Sequence, residues 1–122
     1  MITLKTLNTA TEQEVFDQIA EHLLKQNAQS KHALGCAYRG NDGLKCAAGC
    51  LIADNEYSEE FENRGWTVLV RNIPNFPKKH SKLIQGLQAI HDTRSPMCWP
   101  YYLQELARKY KLTYRFQMYE DV

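Results

Sequence analysis

The sequence predicts an α+β domain of about three helices packed on a small, mostly antiparallel sheet. Segments 11–27 and 81–93 carry apolar residues at helical spacing, and segment 100–110 resumes that spacing after two prolines. Short runs with period-two alternation or β-branched side chains lie around them and read as strands.

Residues 1–10 are expected to be extended, because Ile2 and Leu4 alternate with polar neighbours. Thr11-Glu12-Gln13-Glu14 is a capping box that opens the first helix. Val15, Phe16, Ile19, Leu23 and Leu24 form its apolar stripe, which fades near Asn27. His22 lies one position off that stripe and reads as a half-exposed helix residue.

Cys36–Asp54 gathers three of the four cysteines. Cys36–Arg39 and Leu44–Ala47 are expected to pair as a hairpin around Gly40-Asn41-Asp42-Gly43, whose residues accept positive φ. The alternative is a short helix from Lys45, with Cys46 and Cys50 on one face. Either arrangement puts Ala47, Ala48 and Gly49 where another backbone approaches closely. Residues 54–64 hold five acidic side chains around Tyr57 and Phe61 and read as a short solvated helix.

Trp66–Val70 favours a strand by propensity, with helix as the competing reading. Ser81–Thr93 is helical through Leu83, Ile84, Leu87 and Ile90, and Gly86 calls for a close neighbour. A last helix starts with Pro100 at its first position and runs to Tyr110. Residues 112–118 alternate apolar with polar and read as a half-buried strand.

At 122 residues the chain is expected to be a single domain over 1–122. A domain of this size buries roughly two-thirds of its unfolded surface, so its core requires no metal or disulfide. No apolar run reaches the ~18 residues of a membrane helix, and the N-terminus lacks a signal-peptide pattern. A cytoplasmic location with reduced cysteines is therefore expected. Net charge is +1. Residues 1–62 hold five Lys/Arg against ten Asp/Glu, and 63–122 hold ten against four. Halves that face each other, or chains that pair head to tail, account for this better than a nucleic-acid surface, because the basic residues form no run.

Cys36-Ala37-Tyr38-Arg39-Gly40, Gly43–Ile52, Tyr57 and Leu87-Gln88-Ala89-Ile90-His91-Asp92 together resemble a family of small proteins of unassigned function encoded in phages, prophages and bacterial genomes. The resemblance covers most of the chain and brings no reaction or cofactor. It implies a small accessory protein of a mobile element that binds and modulates a host factor.

Three constellations are candidates for chemistry. Cys46, after a turn and before small residues, is the candidate nucleophile, with His91 as base and Asp92 or Asp54 orienting it. Cys36, Cys46, Cys50 and His91 supply four ligands for a zinc alternative, though their spacing fits no usual knuckle, and no cofactor is otherwise expected. Tyr38, Arg39 and Lys45, beside exposed turn amides, are the candidate ligand-binding set for an anion or nucleotide. Without a complete catalytic signature, a non-enzymatic protein-binding role is preferred. Trp66, Trp99, Tyr101, Tyr102 and Tyr119 would anchor the partner. The partner is expected to be a host protein or a second copy of the chain, not a membrane.

Overall fold

The computed structural model describes residues 1–33 and 35–116. Among these it is broadly α+β, with four helices rather than three: α1 (Glu12–Gln26), α2 (Trp66–Asn72), α3 (Ser81–Thr93) and α4 (Trp99–Lys109). The only sheet among the described residues pairs β1 (Lys31–His32) with β2 (Gly35–Cys36), antiparallel. The helices pack on one another and not on a sheet face. α3 is the hub, touching α1, α2, α4 and the 3-10 turn Ala48–Leu51. One hydrophobic cluster draws on all four helices, with Phe16, Ile19, Leu23, Leu83, Ile84, Leu87, Trp99 and Leu103 fully enclosed.

The helix predictions with chemical punctuation hold. The Thr11 hydroxyl accepts from the Glu14 amide, and the Glu14 carboxylate accepts from the Thr11 amide. Asn27 closes α1 in the left-handed region. α3 spans the expected residues, and Gly86 sits where a Cβ would meet the Leu106 side chain at 3.2 Å. α4 starts one residue earlier than predicted, with Pro100 inside its first turn.

Most segments expected to be extended or strand are neither. Residues 1–10 form turns with a 3-10 segment at Leu7–Thr9. Their amides are taken by side chains: Ile2 by Gln18, and Leu4 and Lys5 by the Glu56 carboxylate. Trp66–Asn72 is helix because what it buries, Trp66 and Leu69, lies three apart and not two. Residues 54–64 contribute only a 3-10 turn at Glu59–Phe61. Their acids are not merely solvated. Glu62 accepts from the Tyr38 and Arg39 amides, and Glu56 from the Ala53 amide as well. Residues 112–116 keep the predicted alternation of burial but form no strand, and Gln117 and Met118 lie outside the described residues.

The hairpin is displaced. Cys36 pairs backward with Lys31, not forward with residues 44–47. The 40–43 turn itself is as expected, closed by Gly40 N–H donating to the Leu44 carbonyl at 2.9 Å, with Asp42 and Gly43 at φ 60° and 75°. Beyond it the Cys50 amide bonds the Cys46 carbonyl, which is the helical alternative shortened to one turn. The small residues do receive another backbone: a Cβ on Gly49 would stand 2.5 Å from the Tyr38 carbonyl oxygen.

Three glutamines of α1 stand in for sheet rungs. Gln13, Gln18 and Gln26 each use both amide atoms to bond the N–H and the C=O of one residue: Thr113, Ile2 and Lys45. His22 adds a fourth tie, donating from Nε2 to the Lys45 carbonyl at 2.9 Å. Burial, followed by the positive charge of Lys45 and the nearby His91, holds its pKa below 6.5 despite that bond.

Two outcomes follow. Gly49→Ala should cost about 1–3 kcal/mol in chemical denaturation, whereas Gly65→Ala, with nothing within 4 Å of its Cβ, should be near neutral. For His22 the unfolded state binds its proton first. Stability is therefore lost as pH falls below 6.5, and His22→Gln should flatten that part of the stability–pH curve.

Candidate functional site

The central stretch, α3 and the 63–66 segment line a half-open cavity of about 200 Å³. β2 and the residues after it contribute Cys36 and Tyr38, and the small-residue stretch contributes Cys46. One face of α3 contributes Gln88 and Asp92, four apart, and the entry to α2 contributes Arg64 and Trp66. Cys36, Tyr38, Cys46 and Asp92 were expected at a site, and Trp66 on a partner-binding surface. Gln88 and Arg64 were not, although Gln88 lies in the same α3 motif as His91 and Asp92.

His91 does not line this cavity. It lies fully buried behind it, stacked on Trp99 with ring centroids 5.7 Å apart. Nε2 accepts from the Ser30 amide at 2.9 Å, and Nδ1 is 2.8 Å from Asp92 Oδ1. A backbone N–H can only donate, so Nε2 carries the lone pair and Nδ1 the proton. Both ring nitrogens are thus occupied, and His91 is not free to serve as base for Cys46. It orients Asp92 instead.

The thiols are not activated. Burial pushes Cys46 up to about 12, outweighing the hydrogen bond that its sulfur accepts from the Gly49 amide. Burial, followed by the Asp92 charge, also raises Cys36, whose thiol hydrogen-bonds that carboxylate. Raised thiol pKa values mean neutral thiols at neutral pH, the reverse of what a nucleophile needs.

The expected zinc set is not assembled either. Cys36, His91 and Asp92 bring ligand atoms within 4.8 Å of one another, without Cys46 or Cys50. A metal on His91 Nδ1 would require the ring proton on Nε2, where it would face the Ser30 N–H. The donor set resembles a metal centre, but the tautomer fixed by the backbone does not fit one.

The anion set is dispersed. Arg39 donates to the carbonyls of Tyr38, Gly49 and Ile52, pairs with Asp54 at 3.1 Å and lies over the Tyr57 ring at 4.9 Å. Its guanidinium rivets the central stretch and has little left for a ligand. Lys45 Nζ lies 3.9 Å from the same Asp54 carboxylate. The Tyr38 hydroxyl donates to the Arg64 carbonyl at 2.7 Å, and burial, then the Cys46, Glu62 and Asp92 charges, raises its pKa.

Two polar side chains among the cavity-lining residues stand out. Asp92 receives the His91 and Gln88 nitrogen donors, both on Oδ1. Its side chain keeps 37% exposure. Trp66 is buried, and its Nε1–H has no acceptor among the described residues. Such a donor costs about 1–3 kcal/mol. Trp99, by contrast, donates to the Arg94 carbonyl. Both tryptophans are core and so are not the surface anchors expected. Tyr119 lies outside the described residues.

Comparison with known protein families, curated proteins and solved structures finds no match.

Arg39→Lys should lower stability by about 2 kcal/mol in urea titration, since an ammonium cannot reach three carbonyls and a carboxylate together. A loss below 0.5 kcal/mol would show that the rivet is dispensable.

Proposed function

We propose that this protein acts by binding, without catalysis, and that the cavity beside Asp92 and Trp66 is its receptor site for a small ligand. The cavity itself, with the partly exposed Asp92 carboxylate on its wall, is the observation that carries this reading. At about 200 Å³ the space lies below the usual 300–1,000 Å³ of drug-sized sites, which favours a compact molecule over a nucleotide. The neutral thiols and the engaged His91 weigh against a Cys-His hydrolase.

An accessory role in the cytoplasm, in a phage or mobile-element setting, belongs to the same proposal. No helix among the described residues is long and apolar enough to cross a membrane. A host protein that reads the ligand state would meet an exposed surface, and Met97 and Tyr101, 78% and 45% exposed at the start of α4, favour that corner.

A fragment screen followed by nitrogen-15 NMR tests the reading. Neutral, cationic and anionic fragments are added to the folded chain while the Trp66 indole resonance is watched. Hits that move Trp66 but not Trp99 are expected. A library that moves neither, or rapid alkylation of Cys46 in the folded protein at pH 7, would overturn the proposal.

A further inference from the structure

Asp92 is the only carboxylate among the residues that line the cavity. It takes donors from the His91 Nδ1–H, the Gln88 side-chain amide and the Cys36 thiol. All of these are neutral groups. His91 is neutral because its Nε2 accepts from the Ser30 amide, and Cys36 because burial, then the Asp92 charge, raises its pKa. Among the described residues no Lys or Arg pairs with Asp92, whose close basic partner is that neutral histidine. With 37% of its side chain exposed, Asp92 therefore puts an uncompensated negative charge on the cavity wall. Glu62, which holds the Tyr38 and Arg39 amides, adds to it, and both carboxylates act on the Tyr38 hydroxyl in the same sense. Lys31, paired with Cys36 across the β ladder, offsets the Asp92 charge only in part. Arg64, also in the lining, has an exposed side chain.

We propose that the cavity takes a compact organic cation, a primary ammonium on a short alkyl stem, with an ammonium N–H donated to Asp92. This rests on the binding role proposed above. A guanidinium fork needs both carboxylate oxygens open, and Oδ1 already takes the His91 and Gln88 nitrogens. A quaternary ammonium needs bare aromatic faces, and Tyr38 and Trp66 are 7% and 3% exposed. A hard divalent ion needs about six oxygen ligands, more than a lining with a single carboxylate supplies. An ammonium needs only one open lone pair, and a carboxylate offers about four. The small, uncharged lining at Ala37, Cys46 and Gly65 suits the stem. At ~30 Å³ per water, 200 Å³ holds about six or seven waters, which keeps that stem short.

The probes are methylammonium to butylammonium chloride, set against the alcohols and carboxylates of matching chain length. At least one ammonium should move the Trp66 indole resonance but not that of Trp99, and should bind about tenfold or more tighter than its alcohol. Asp92→Asn keeps an oxygen for His91 and Gln88 while removing the charge. It should weaken the ammonium by about tenfold or more and leave the alcohol unchanged. Nα-acetyl-lysine amide, measured beside butylammonium, separates the sources of this chemistry: comparable binding assigns the ammonium to a partner's lysine side chain, and lost binding assigns it to a free amine. Equal binding of ammonium and alcohol, or equal binding of the ammonium by Asp92→Asn and the parent, overturns the cation. If alcohols or carboxylates move Trp66 and no ammonium does, the ligand class is wrong and the binding role stands. If no fragment moves it, both fall.

Discussion

The structure depends on one constraint: buried backbone groups must find hydrogen-bond partners where the described residues build almost no sheet. Some forty residues separate α1 from α2, and only four of the described ones pair as strands. Side chains supply the rest. Gln13, Gln18 and Gln26 each clamp one residue through both amide atoms, as a strand neighbour would. Glu56 and Glu62 gather backbone amides with their carboxylates. Burial opposes the charged form of Glu56, but the Ala53, Leu4 and Lys5 amides outweigh it and hold its pKa low. Arg39 serves the orphan carbonyls from the other side.

His91 is the same device placed at the most enclosed point. Its Nε2 takes the Ser30 amide. The Ser30 hydroxyl in turn donates to the Ala37 carbonyl at 2.7 Å and to the Leu44 carbonyl at 3.2 Å. Gly40 lies so close that a Cβ there would meet Ser30 Oγ at 2.4 Å. The cysteine-bearing stretch is therefore registered to α3 through Ser30, and the register carries Cys36, Tyr38 and Cys46 to the cavity wall. With its proton committed to Nδ1, His91 also fixes which oxygen of Asp92 is occupied.

A dense set of reactive residue types has thus been spent on architecture. Cysteines in contact with small residues and carboxylates stay neutral because burial and negative neighbours both penalise a thiolate. An arginine within a glycine-rich turn looks like an anion site until its donors are counted. At the cavity wall the Asp92 side chain keeps 37% exposure.

The sequence by itself determined the helices, because capping chemistry and apolar spacing are local. Thr11 and Glu14 cap α1 whatever lies around them, and Leu83, Ile84, Leu87 and Ile90 define the face of α3. It also determined the positive-φ turn at 40–43 and the close approach at Gly49. Tertiary structure decided the rest. A short run such as Trp66–Val70 satisfies strand propensity as well as helix, and only its burial among α3 and Phe76 chose between them. Whether Ile2, Tyr38 or Thr113 bonds to a strand or to a side chain depends on residues 16 to 100 positions away. The site followed the same rule. Residue types named Cys46 and His91, but hydrogen-bond direction and burial decide reactivity, and both are properties of the folded neighbourhood. Trp66, expected as a surface anchor, was instead buried by folding, with its N–H left without an acceptor among the described residues.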